Sequence, residues 1–305
     1  MTTYLIHRVL LIVPVLIGVS IVAFLMSHLV PGDPVTVMLG QQGTAEDAAR
    51  LRESLGLNDP LWVQYWRYVS RAVQGDLGES IRSGQPVLTE ITERFPTTLT
   101  LTATAMATAV VVGMTLGVAA AVSRSGLVDA AIMAFALLGI SMPAFWSGIL
   151  LILFFGLKLG WLPIAGSGPK ALVLPTITLA APAAAVLARM TRSMVLEVLG
   201  QDFVRTARAK GLRDRIVVAR HVLRNALIPV VTIVGLQFGA LLTGSVIVES
   251  VFSRPGLGRY TITAIESRDF PQIQGIILFA ASIYVFVNLA VDLLYALIDP
   301  RIRFR

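Results

Sequence analysis

Apolar residues along this chain gather into long runs separated by polar stretches. A helix needs about 20 apolar residues to cross the hydrocarbon of a bilayer. Six runs qualify: Val9–Val30, Thr97–Val122, Val128–Leu157, Leu172–Met194, Leu227–Val248 and Ile276–Ile298. The pattern predicts an all-α membrane protein with six transmembrane helices. The first run follows Arg8, as a secretory signal would. It exceeds the roughly 7–15 apolar residues of a signal and ends at Pro31-Gly32-Asp33-Pro34, not at a small-residue cleavage site, so it reads as a retained helix. The third run contains Pro143, which removes a backbone donor and predicts one kinked, tilted helix. Two half-helices lining a cavity are the alternative.

Composition agrees with this pattern. Hydrophobic residues make up 55% of the 305 residues and charged residues only 14%, against about a quarter in soluble domains. There is no cysteine, and His7, His28 and His221 are scattered, so no metal site is expected. The +7 net charge raises nucleic acid as a partner, but arginines retained beside a membrane, in contact with lipid, account for it.

The charges also orient the chain. Between the fourth and fifth runs stand Arg205, Arg208, Lys210, Arg213, Arg215, Arg220 and Arg224, against Glu197, Asp202 and Asp214. The end of the chain adds Arg301, Arg303 and Arg305. The segment Pro31 to Pro96 holds six arginines and nine acids. The positive-inside rule then places both termini and the basic segment in the cytoplasm and residues 31–96 outside. The expected organisation is a first transmembrane helix at 1–30, an extracytoplasmic segment at 31–96, a core of five helices at 97–298 with a cytoplasmic loop at 195–227, and a cytoplasmic tail at 299–305.

Ionisable residues inside a span default to a functional hypothesis. Asp129, Arg189, Arg192, Glu249 and Asp292 all fall near span ends, where snorkelling or placement at a helix end accounts for them. The spans lack a series of mid-membrane carboxylates, which argues against a secondary transporter, and no filter loop or charged ring suggests a channel. Small residues between Thr98 and Gly117 and between Gly235 and Ser245 favour close helix packing. In the outer segment, Trp62, Tyr65, Trp66 and Val69 recur at helical spacing, which predicts an amphipathic helix. It either belongs to a small external cap or lies on the bilayer surface.

The basic segment has the most local detail. Asp202 is placed to cap a short helix and Gly211 to close it in a left-handed conformation. At about two turns that helix is too short to persist alone in water, so it needs a surface to lie on. Asp214 is placed to cap a second helix, with Arg220 and Arg224 on one face and His221 and Asn225 on another. A loop solvated beside anionic lipid is the bland alternative, but it would need no capped helix.

The strings RTARAKGL (Arg205–Leu212) and HVLRNALIP (His221–Pro229) resemble the coupling loop of ATP-binding-cassette importer permeases. That family's general motif is Glu-Ala-Ala, three residues, then Gly. Here Arg205, Thr206 and Ala207 fill the first three positions, with Gly211 in register. Arg205 in place of Glu departs from the general motif and matches the peptide-importer branch. VPGDP (Val30–Pro34), Leu55–Pro60, GDLGES (Gly75–Ser80), RMTRSM (Arg189–Met194), PGLGR (Pro255–Arg259) and DPRIR (Asp299–Arg303) extend the likeness over nearly the whole chain. The chain resembles the first permease subunit of dipeptide, oligopeptide and glutathione importers.

The resemblance implies a type I importer fold with an external segment after the first helix. It implies a second homologous permease subunit, two ATPase subunits and an extracytoplasmic substrate-binding protein. The chain would be no enzyme and would hold no cofactor, with ATP and Mg bound by the ATPase partners. None of Lys158, Lys170 and Lys210 follows a glycine, so no P-loop is possible here. The expected coupling residues are Phe203, Arg205, Thr206, Ala207, Arg208, Lys210, Gly211, Leu212, His221 and Asn225. Arg254, Arg259, Arg268 and Asp269, with Glu266, are the expected contacts of the binding protein. The implied setting is a prokaryotic cytoplasmic membrane, with peptides ranked ahead of glutathione and nickel chelates as cargo.

Overall fold

The computed structural model describes residues 2–29, 44–54, 56–166 and 168–298, and the positions Val35 and Leu39. The VPGDP and DPRIR strings and the tail 299–305 lie wholly or mainly outside them. The regular elements among the described residues are all helices: α1 Thr2–Leu29, α2 Ala45–Ser54, α3 Leu61–Val73, α4 Val87–Val122, α5 Gly126–Ser141, α6 Ala144–Leu151, α7 Pro169–Leu199, α8 Asp202–Ala209, α9 Leu223–Val251, α10 Leu257–Glu266 and α11 Phe270–Ile298. A π-helical stretch, Ile152–Lys158, continues α6, and another, Val217–Val222, leads into α9 after the single turn Asp214–Ile216.

Among the described residues, four helical stretches are long and apolar enough to cross a membrane: Val87–Val122, Pro169–Leu199, Pro229–Val251 and Phe270–Val291. The pair α5 and α6 with its π extension would make a fifth, and α1 carries a shorter apolar stretch, Leu10–Met26. Several helices outrun their apolar windows. For example, α4 starts at Val87, before Pro96, because polar residues continue a helix wherever neighbours satisfy them.

The kinked single helix expected around Pro143 is not what forms. The two segments meet at 105°. Met142 (φ −83°, ψ 127°) and Pro143 (φ −59°, ψ 135°) are both extended. A residue before proline is pushed out of the helical region, and proline cannot donate to the preceding turn. Two successive residues therefore leave the helix and the chain turns a corner. The Pro143 carbonyl then accepts the first free N–H groups of α6, from Trp146 and Ser147.

The chain forms two compact units, Thr98–Arg254 with Ala290–Arg305, and Met1–Thr97 with Pro255–Leu289. In the first, α7 is central, with two-thirds of its apolar window buried. Its core includes Leu101, Ala105 and Ala109 of α4, Leu174 and Leu187 of α7, and Val248 and Phe252 at the end of α9. Two glycines let α4 approach α7. A Cβ at Gly113 would lie 2.6 Å from the Ala184 oxygen, and one at Gly117 would lie 2.5 Å from the Ala188 oxygen. Arg192 of α7 holds Asp129 of α5 through both carboxylate oxygens at 2.5 Å. Snorkelling thus does not describe this pair, since the two residues join neighbouring helices. Nor does it describe Glu249, which is wholly buried and accepts the Thr98 hydroxyl at 2.6 Å.

In the second unit the base of α4 packs on α10 and the start of α11, through Val87, Ile91, Leu257, Tyr260, Ala264, Ile273 and Ile276. The amphipathic helix expected around Trp62 is α3, and it lies against α1. Tyr65 meets Phe24 edge-on at 5.5 Å and its hydroxyl bonds to Ser20, while Gln64 reaches His28. Trp62 and Trp66 stay 74% and 71% exposed. Only part of the expected aromatic face is therefore covered.

Candidate functional site

The basic segment folds as a short helix laid on a small apolar core of its own. Helix α8 buries Val204 and Ala207 among Val195, Val198, Val217, Val222, Ala226 and Ala121. This apolar face is what stabilises eight residues that would not stay helical alone. The opposite face carries exposed Phe203, Arg205, Thr206, Arg208 and Lys210. Gly211 and Leu212 are exposed beyond them.

The end of α8 matches the expectation. Gly211 has φ +78°. Its N–H donates to the Arg208 carbonyl at 2.9 Å, and that of Leu212 donates to the Ala207 carbonyl at 3.4 Å. These two bonds form a Schellman closure, with glycine at the position where a side chain would be strained. The start of α8 differs. Gln201, extended at φ −78°, ψ 151°, takes the capping position without a side-chain bond. Asp202 is already helical, so its carboxylate cannot fold back on the first free N–H groups and instead sits 3.6 Å from Arg205. Asp214 likewise follows Arg213, the residue at its cap position. Its carboxylate accepts Arg208 Nε at 3.1 Å and lies 3.7 Å from Arg124.

Two side chains expected at the coupling surface are engaged within the chain. Ala207 is 7% exposed and belongs to the core beneath α8. Asn225 donates to the His221 carbonyl at 2.8 Å. His221 is half-buried within the π stretch. The wider π turn also shifts the face spacing that a regular helix would give Arg220 and Arg224. Both are exposed, as are Arg213 and Arg215, and none of the four forms an ion pair with a described carboxylate. The pairs of Arg205 and Arg208 are exposed, and such pairs contribute about 1 kcal/mol at most. Both guanidiniums can exchange them for carboxylates of a partner at little cost.

The second group of expected contacts divides. Arg259 and Arg268 are exposed. Asp269 is 1% exposed and therefore is not a surface contact. It is the capping residue of α11, accepting the Gln272 N–H at 3.3 Å, and it also accepts Ser80 Oγ at 2.7 Å and the Arg82 N–H at 3.1 Å. Arg254 is partly buried, which lowers its affinity for its proton, while the nearby Glu249 carboxylate opposes that.

Sequence reasoning missed the polar network around Asp269. Gln272 Nε2 donates to Ser80 Oγ at 2.7 Å and to Glu90 Oε2 at 2.9 Å. Glu90 also accepts the Tyr260 hydroxyl and, on its other oxygen, Arg94 at 3.5 Å. Arg94 lies 4.3 Å from the centre of the Tyr260 ring. Burial, followed by the Glu90 carboxylate, pushes the Tyr260 hydroxyl well above its ordinary range. Ser80 stands at the end of GDLGES, and Tyr260 directly follows PGLGR, so the two motif strings meet in this network.

Residues 113–304 match the family described as "Binding-protein-dependent transport system inner membrane component", and residues 1–102 match its N-terminal counterpart. The glutathione transport system permease protein GsiC of Escherichia coli O6:H1 (strain CFT073) is 49% identical over 306 residues, covering all of both chains. That of Salmonella paratyphi A is 47% identical with the same coverage. Among solved structures, an inward-facing methionine transporter, MetNI, matches 68% of this chain and 96% of its own at 21% identity, with a TM-score of 0.58. An amino acid ABC transporter matches 70% of this chain and 94% of its own at 20% identity, with a TM-score of 0.51. At that identity the likeness speaks for the fold. The chain belongs to the binding-protein-dependent inner-membrane transport components, as a multi-pass permease of the peptide and glutathione branch of ATP-binding-cassette importers.

Proposed function

We propose that this chain is one of two permease subunits of an importer that carries glutathione inward at the expense of ATP bound by separate ATPase subunits. The observation that carries the reading is the full-length likeness to glutathione permeases at 47–49% identity. It moves the cargo from peptides in general to one tripeptide; dipeptides and nickel chelates become competitors in the test.

In this reading the chain crosses the membrane six times, with α1 as the first span and α5–α6 as one broken span, and both termini are cytoplasmic. The exposed face of α8 sits in a groove of an ATPase subunit. Phe203 and Leu212 enter apolar pockets there, and Arg205 and Arg208 meet acidic groups. Val204 and Ala207 hold the helix to its own subunit, so displacement of α8 is passed to α7 and α9 and not lost in a loose loop. Residues 31–96 and the Arg254–Arg268 region meet a substrate-loaded binding protein.

The test is reconstitution of the complete importer in proteoliposomes with labelled glutathione. Uptake that needs ATP and the binding protein, and that excess dipeptide or nickel chelate fails to inhibit, supports the reading. Uptake without ATP overturns the importer mechanism, and uptake of dipeptide in preference to glutathione overturns the cargo.

A further inference from the structure

Helix α10 ends in the same closure as α8, but without glycine. The Arg268 N–H donates to the Ile265 carbonyl at 3.1 Å and the Asp269 N–H donates to the Ala264 carbonyl at 2.9 Å. Arg268 itself has φ +54°. This is the left-handed position that Gly211 occupies at the end of α8. A residue with a Cβ is strained there, and only Asn and Asp visit the region with any ease. A long, branched guanidinium side chain has no local reason to be at this position.

The surroundings fix the strain in place. One residue later the buried Asp269 caps α11 and accepts bonds from Ser80 and the Arg82 N–H. The corner cannot relax by sliding, because Asp269 would leave these partners. Strain that persists under such constraint points to use of the residue that bears it. Arg268 is exposed and forms no ion pair with a described carboxylate. Solubility alone would be served by a charge at any unstrained surface position.

We propose that Arg268 is a docking residue, held at this corner to pair with a carboxylate on the substrate-loaded binding protein. The inference rests on the reading of the Arg254–Arg268 region as extracytoplasmic. It goes further by selecting Arg268 and by removing Asp269 from the contact set.

The experiment uses the full importer in proteoliposomes, with its binding protein loaded with glutathione. It measures the binding-protein concentration that half-saturates ATPase stimulation. Arg268→Gly should raise the thermal midpoint of the complex by a few degrees, because glycine relieves the left-handed strain. The same variant should raise the half-saturating concentration about threefold and flatten its dependence on salt. Arg268→Lys keeps the charge and should recover most of the wild-type value. An unchanged half-saturating concentration in Arg268→Gly overturns the proposal, and a lower midpoint overturns the strain argument behind it. A wild-type complex that glutathione-loaded binding protein does not stimulate overturns the importer reading itself, and this inference with it.

Discussion

Gly211 is the residue on which the short helix depends most directly. Its φ of +78° and its N–H bond to Arg208 are both unavailable to proline. Gly211→Pro should unwind the last turn of α8 and abolish ATP-coupled uptake, while the chain still inserts and assembles. Gly211→Ala keeps the N–H and should cost only about 1–2 kcal/mol, giving partial uptake. Normal uptake by the proline variant would remove α8 from the mechanism. Tyr68 is a second informative residue. Burial pushes its hydroxyl to about 12, and the buried oxygen has no hydrogen-bond partner among the described residues. The unfolded chain therefore loses this proton first, near pH 10. Stability is therefore unaffected by this titration below about pH 10 and falls as pH rises toward 12. Tyr68→Phe should remove that slope and raise stability at neutral pH by about 1 kcal/mol, measured by thermal unfolding in detergent at pH 7 and pH 11.

At the scale of elements, the approach of α4 to α7 depends on two glycines. A methyl group at Gly117 would meet the Ala188 carbonyl oxygen at 2.5 Å, and backbone cannot move aside as a flexible side chain can. Gly117→Ala should force the helices apart and lower the yield of folded protein several-fold, read by size-exclusion chromatography. Gly126→Ala, where no atom lies within 4 Å, should match the wild type. The small residues of α4 were legible in the sequence as a packing face, because small side chains have few other uses between apolar helices. Pro143 was legible as a disturbance but not as a 105° corner, because the angle depends on Met142 leaving the helix with it. Asp202 and Asp214 looked like helix caps because their residue type favours that role. Which of two adjacent residues becomes extended depends on tertiary packing, which no local pattern reports. Asp269 looked like a loop charge for the same reason: its partners Ser80 and Arg82 are far away in sequence.

For the whole molecule, the runs of apolar residues carried the all-helical, multi-pass character of the chain. The family was legible because its motif strings extend over the whole chain. Sidedness can be tested cleanly, since the sequence has no cysteine. Lys210→Cys should react with a membrane-impermeant maleimide only after cells are permeabilised, and Glu266→Cys should react in intact cells. The opposite pattern would invert the topology and move the proposed partner surfaces with it. The passage from α8 into the membrane has a mechanical consequence. From Asp214 to Val251 the backbone is helical throughout, by way of the π stretch. At 1.5 Å per residue this is a strut about 55 Å long. Pivoting it by about 5° at one end sweeps the other sideways through about 5 Å, roughly half the distance between the axes of packed helices. A small shift at α8 would therefore be enough to change how closely the far end of α9 approaches its neighbours.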